Sequence, residues 1–404
     1  MTVRTVVTGL GIIAPTGVGV DEYWSATLSG KSAIGLVTRF DASKYPVQLC
    51  GEVTNLDPTQ HLPNRLLPQT DHVTRLSLVA SERAFADAGV DLADVPEFEM
   101  GVVTASAAGG FEFGQRELQK LWSRGSAFVS AYQSFAWFYA VNTGQISIRH
   151  GMRGPSGVLV SEQAGGLDAV AQARRHLDQG ARLMITGAVD SNICPWGWIA
   201  QIKGGRSSTS IDPARAYLPF GAAANGHVSG EGGALLVLET LDAARRRGVD
   251  RPYGEVVGYG ATFDPAPDTG RPATLAKAID RALADARIGP DEVDIVLADG
   301  AAVPELDLVE AQAMASIFGP YGVPISVPKA GTGRLAAGGG ALDLATALLC
   351  LRDQVVPPTP NVEAPAADYP IDLVVGQPRE MTIRTALVVA RGYGGFNVAM
   401  VLRR

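Results

Sequence analysis

A chain of 404 residues that is 46% hydrophobic can bury a large core, which excludes a disordered protein and allows one large fold or two fused halves. Its formal net charge is -7, and its basic residues are scattered apart from Arg245, Arg246 and Arg247, which excludes the basic face that nucleic acid demands. Cys50, Cys194 and Cys350 lack CxxC spacing and no apolar run approaches the roughly 18 residues that span a bilayer, so no disulfide framework, metal centre or membrane segment is expected and the chain reads as cytoplasmic.

An apolar, β-branched run at 4–8 opens the chain, and similar runs recur at 100–104, 158–161, 183–186, 234–239, 295–298, 325–327, 385–390 and 398–402. Each reads as a strand covered on both faces. Helical stripes lie between them: Leu76, Val79 and Arg83 share one, and Leu275, Ile279 and Leu283 another. Such alternation predicts layered α/β architecture. Near 240–260, Glu239 closes a strand, an arginine-rich helix follows, and Gly254 opens a further strand region. That midpoint divides the chain into similar halves, 1–250 and 251–404, of one fold.

The segment 157–168 is the first candidate for chemistry. An apolar strand ends near Ser161, small residues follow, and a helix carrying Leu167, Val170 and Leu177 begins. A strand-to-helix elbow presents one side chain at a helix N-terminus, where free N–H groups favour negative charge. A cysteine there would be an activated nucleophile. This chain has Gln163, whose amide can hydrogen-bond but cannot form a thioester. His61, His72, His150, His176 and His227 lie in separate segments without metal-ligand spacing and read as surface or capping residues.

Six landmarks occur in order: Val7-Thr8-Gly9-Leu10-Gly11 with Pro15; the elbow; Gly230-Glu231-Gly232-Gly233 before a strand; Gly300 with Pro304 and Asp307; Lys329 with Gly333; and Gly392-Tyr393-Gly394-Gly395-Phe396-Asn397. Together they resemble the β-ketoacyl synthases over nearly the whole chain. The resemblance implies a thiolase fold, five αβαβα layers built from two similar halves, and a dimer packed through a central strand and its surrounding helices. It also implies a Cys–His–His centre, and this sequence departs from it at each place. Gln163 stands for the cysteine, Asp299 for the first histidine and Arg334 for the second; a carboxylate and a guanidinium cannot donate as neutral imidazoles do. An Asp299–Arg334 salt bridge filling a dead pocket is expected, and Lys329 is expected to pair with Glu310. The loop 219–226 also lacks the charges that ketosynthases carry after Phe220.

The segments 134–146, 195–198, 262–267 and 384–387, with the glutamine elbow, are similar to the chain length factor, the ketosynthase beta subunit of bacterial type II aromatic polyketide synthases. That resemblance implies an obligate heterodimer with a ketosynthase alpha subunit, malonyl units delivered on an acyl carrier protein that docks mainly on the partner, and no cofactor. It further implies that Phe111, Gly114, Leu118 and Trp196 line the far end of a tunnel for the growing polyketide. Spacing of i, i+3 and i+7 puts the first three on one helix face. With Gly114 and Leu118 modest in size, a chain longer than an octaketide, decaketide or beyond, is expected. Phe135, Trp137, Phe138 and Tyr139 read as interface or core aromatics. Two other functions fit the fold: decarboxylation of malonyl-carrier protein assisted by Gln163, and binding of a small molecule without catalysis.

Overall fold

A computed structural model describes residues 3–266 and 269–404. Pro267, the last residue of one of the matched segments, lies outside the described residues. Ten strands carry the architecture: β1 (Thr5–Ala14), β2 (Met100–Ala105), β3 (Ser156–Leu159), β4 (Leu183–Asp190), β5 (Gly232–Thr240), β6 (Gly254–Phe263), β7 (Ile295–Leu297), β8 (Pro324–Ser326), β9 (Thr385–Gly392) and β10 (Phe396–Arg403). The helices that matter here are α1 (His72–Ala88), α2 (Phe111–Arg124), α3 (Val141–His150), α4 (Gly165–Asp178), α5 (Pro195–Lys203), α6 (Leu275–Ala286), α7 (Pro304–Phe318) and α8 (Ala337–Asp353).

Strand order runs β3-β2-β4-β5-β1 in the first half and β8-β7-β9-β10-β6 in the second, one pattern used twice. In each half three strands run parallel, the fourth runs against them, and the fifth pairs antiparallel with the fourth. The halves meet where β1 and β6 pair antiparallel at Val6 with Glu255 and Val7 with Gly254. Even the irregularities repeat, with the register slipping between Val7 and Gly9 on β1 and between Val256 and Gly258 on β6. Beyond each slip lies a Gly-x-Gly that admits a helix against bare backbone. A Cβ on Gly9 or Gly11 would fall 2.3 or 1.9 Å from the Ala84 or Ala80 carbonyl of α1, and one on Gly258 or Gly260 would fall 2.2 or 2.1 Å from Ala282 or Ala278 of α6. Those contacts require glycine.

Between the sheets lie α4 and α8, with α8 buried from Ala337 to Leu351. Helices α1 and α6 cover the outer faces, which gives five layers. A helix buried all round must be apolar all round, and the run Ala341 to Leu351 is interrupted only by Asp343 and Thr346. Two expected strands shift: the run read at 158–161 pairs over Ser156–Leu159, and the one read at 325–327 over Pro324–Ser326. In the first, Ser161 leaves extended geometry to enter the elbow. In the second, Val327 precedes the turn Pro328–Gly331, whose proline cannot donate to a ladder. Among the described residues, no helix is long and apolar enough to cross a membrane.

Candidate functional site

At the elbow, Glu162 is held at φ 51, a left-handed conformation rare for a residue with a side chain. The turn Glu162–Ala164 then runs straight into α4. Gln163 is fully buried, and neither its amide oxygen nor its amide nitrogen has a hydrogen-bond partner. Its amide lies against the first turn of α8, where a Cβ on Gly339 would fall 2.0 Å from Nε2. Ser161 donates to Asp168 on α4, and Tyr259 of β6 donates to the same carboxylate at 2.6 Å, so the elbow is tied across the two halves.

Asp299 and Arg334 meet in a bidentate pair, at 2.9 Å from Nη1 to Oδ2 and 3.1 Å from Nη2 to Oδ1. Arg391 N–H donates to the same carboxylate at 3.0 Å, and Arg334 donates to the Arg391 carbonyl at 3.0 Å. Burial opposes the charge on Asp299, but Arg334 and then Lys329 outweigh it and hold the carboxyl down to about 2. Burial likewise opposes the Arg334 charge, and Asp299 more than restores it. Both ions are therefore fixed in the charged state with their hydrogen-bonding capacity engaged internally.

The expected Lys329–Glu310 pair does not form. Lys329 contacts Asp343 of α8 at 2.5 Å, while Glu310 accepts the N–H groups of Asp299 and Gly300 at 2.8 and 3.0 Å. Glu310 thus holds the strand end that presents Asp299. Asp343 escapes a spacing argument because the chain between Lys329 and α8 passes through Gly333 at φ 81 and Ala336 at φ 48, which sets the helix direction. The only cue was an acidic residue in an otherwise apolar helix.

Above this centre opens a cavity of about 450 Å³ whose wall includes Phe111, Glu162, Asp299, Arg334 and Tyr393. Gln163 does not line it. Lys203 and Arg206 stand on its wall, with Arg206 stacked over Tyr393 at 4.8 Å. His227, expected at the surface or in a cap, is instead a half-buried part of the same wall. Burial first, and Arg334 next, push its imidazole down to about 3.

The second set of residues lies at the start of α2. Phe111 stacks on Trp196 of α5 with centroids 4.7 Å apart and planes 13° from parallel. Gly114 faces the same indole, since an added Cβ would come 3.4 Å from Trp196 Cζ3 and 3.2 Å from Trp137 Cβ. Leu118 follows one turn later, half-buried. The structure therefore brings Phe111, Gly114 and Trp196 together and adds Trp137, named at first only as an interface or core aromatic. Helix α2 has no capping side chain of its own. Asp71 supplies one from outside, accepting the Val73 N–H of α1 and the Phe113 N–H of α2 at 2.9 and 2.6 Å. Asp190, buried at the end of β4, accepts the Ala107 N–H at 2.7 Å and fixes the loop leading into α2. Phe135, Trp137, Phe138 and Tyr139 are neither core nor fully free, each being about two-fifths exposed beside this helix.

Family models for the N-terminal and C-terminal domains of beta-ketoacyl synthase match residues 3–244 and 253–363. The chain is 59% identical over 400 residues to the tetracenomycin polyketide synthase ketoacyl synthase beta subunit of Streptomyces glaucescens, covering 99% of this chain and 98% of that one. It is 57% identical over 398 residues to the actinorhodin polyketide putative beta-ketoacyl synthase 2 of Streptomyces coelicolor, covering 98% of each. Among solved structures, the ishigamide ketosynthase/chain length factor superposes with a TM-score of 0.89 at 25% identity, over 100% of this chain and 99% of that one. A type II polyketide synthase acyl carrier protein in complex with its ketosynthase bound to the hexaketide gives 0.89 at 26%, over all of both chains. The duplicated thiolase fold, the glutamine elbow and these relatives lead to one conclusion: the chain belongs to the beta-ketoacyl synthase family, as a chain length factor, the ketosynthase beta subunit of type II polyketide synthases.

Proposed function

We propose that this chain sets the length of a poly-β-ketone built by a ketosynthase alpha partner from malonyl units on an acyl carrier protein, with Phe111, Gly114, Leu118 and Trp196 as the end wall of the tunnel. The observation that carries this is the Phe111–Trp196 stack standing over Gly114, where an added Cβ would already come 3.2 Å from Trp137 and 3.4 Å from Trp196. Product beyond an octaketide, decaketide or longer, follows from the modest bulk of Gly114 and Leu118. The partner seat is the edge of β3, whose outer side is unpaired, together with α3 and the half-exposed aromatics at 135–139. An unpaired edge is a template for another strand, and the alpha subunit, being of the same fold, has an equivalent edge to add. The division into halves 1–250 and 251–404 and a cytoplasmic setting, which suits three buried free thiols, belong to the same reading.

Gln163, Asp299 and Arg334 are on this reading structural replacements for a lost acyl-transfer centre. Decarboxylation through Gln163 gains no support, because its amide is fully buried and packed against the first turn of α8. The test is a reconstituted synthase carrying Gly114→Phe or Leu118→Phe, with products analysed by mass spectrometry. A shorter carbon chain from an intact heterodimer is expected, and an unchanged carbon count rejects the wall.

A further inference from the structure

The geometry points to Gln115 as a specificity-determining positioning residue, one that fixes the depth of the tunnel without lining it; this rests on the tunnel reading above. Gln115 follows Gly114 on α2, and its side-chain oxygen accepts the Trp196 backbone N–H at 2.7 Å. That N–H has few other partners. Helix α5 begins Pro195-Trp196, so its first residue has no N–H to satisfy and Trp196 carries the first free donor. The α5 cap residue, Cys194, gives its carbonyl to Trp198 at 2.8 Å and its sulfur to Gly197 at 3.5 Å, which leaves Trp196 no oxygen acceptor within its own helix cap. Gln115 therefore serves as the oxygen cap of a helix to which it does not belong.

The consequence lies in the side chain of the residue so held. Trp196 is 40% exposed, its indole is packed on one face by Phe111, and its Cζ3 stands over Gly114, 3.4 Å from where a Cβ there would sit. A half-exposed tryptophan with a single stacking partner can slide along that partner, and the backbone tie is what fixes its place along α2. Both ends of the tie sit within one residue of the proposed wall. Removing it changes no lining side chain and no lining volume. Water can take over the N–H at this exposed place, so the fold survives while the stop becomes loose.

The experiment uses the full chain in its heterodimer with a ketosynthase alpha subunit and reads the ratio of product lengths by mass spectrometry. Gln115→Met keeps size and removes the acceptor. It is expected to lower the share of the main product at least threefold, with chains one or two acetate units longer and shorter taking its place. Gln115→Glu keeps an acceptor oxygen in reach and is expected to retain the parental ratio, a rescue that a role in bulk packing would not produce. Gly114→Phe runs in parallel. If it shortens the product while Gln115→Met leaves the ratio unchanged, the wall stands and the role of Gln115 is overturned. If Gly114→Phe leaves the carbon count unchanged, the wall falls and this inference with it. If neither Gln115→Met nor Gln115→Ala assembles with the partner, the bond supports the fold rather than the length, and the inference is likewise overturned.

Discussion

The Asp299–Arg334 pair and Phe111, the first residue of α2, lie on one cavity, yet their surroundings are built by opposite means. Around Asp299 and Arg334 every charge is engaged by another part of the chain, and the two residues are 1% and 8% exposed. Around Phe111, Gly114 and Trp196 the side chains are aromatic and half-exposed, and the order comes from backbone ties at Asp71, Asp190 and Gln115. One region is held by internal ion pairs and charge-assisted hydrogen bonds. The other spends little on cohesion and keeps a shape, which is what a subunit that measures rather than reacts requires.

The largest expected effect breaks the first region. Asp299→Ala leaves Arg334 buried and uncompensated, which costs about 3–5 kcal/mol, and chemical denaturation of the heterodimer should show it. A double Asp299→Leu, Arg334→Leu variant should recover most of that loss, since an apolar pair of similar volume needs no ionic compensation. Wild-type stability in the single variant would show that the pair is dispensable.

The two regions should also separate by pH. Burial raises Asp190 to about 6, against the usual carboxylate value, despite the hydrogen bonds it accepts. A carboxyl with a raised folded-state pKa binds more protons folded than unfolded, so its contribution falls as pH rises from about 4 to about 6 and is flat above. Asp299, lowered to about 2, works the other way: its stabilisation is full above its unfolded value and is lost as pH falls towards about 2. Asp190→Asn should remove a decline on the order of 2–3 kcal/mol between pH 4 and 6. An unaltered pH profile of the melting temperature would mean that Asp190 does not titrate there.

A smaller effect, confined to assembly, should follow at the sheet edge. Val160 is about half exposed just past β3. Val160→Asp should weaken capture of the alpha subunit about tenfold by placing an unpaired charge in the contact, and unchanged affinity by titration would move the partner elsewhere. Smallest of all is Gln163→Leu, which removes two unpartnered buried polar atoms and should be neutral or stabilising by about 1 kcal/mol. A drop in carbon dioxide release from malonyl-carrier protein in that variant would contradict a purely structural glutamine.

Much of this architecture is legible in the sequence because it rests on local pattern. All nine predicted strands lie on observed ones, with ends moved where Ser161 turns and Pro328 intervenes. The pairing of Asp299 with Arg334 is legible because the resemblance puts two opposite charges at neighbouring positions of one site. The pairing of Lys329 could not follow, because α8 leaves an irregular turn at an angle that no spacing records. Nor could Gln115, whose partner is a backbone N–H 81 positions away that only tertiary structure brings near. His227 was misread for the same reason: its burial is contributed by distant segments.

The amide of Gln163 rests where a side chain on Gly339 would stand, and the charge on Arg334 is answered by Asp299. Asp299 and Arg334 each compensate the other's buried charge, so neither can be changed alone without cost. A histidine placed at 299 strands a guanidinium, and one placed at 334 strands a carboxylate. Two compatible changes would have to arrive together for either position to leave its present state, so the pair is retained by its own interior, whatever the subunit is selected for.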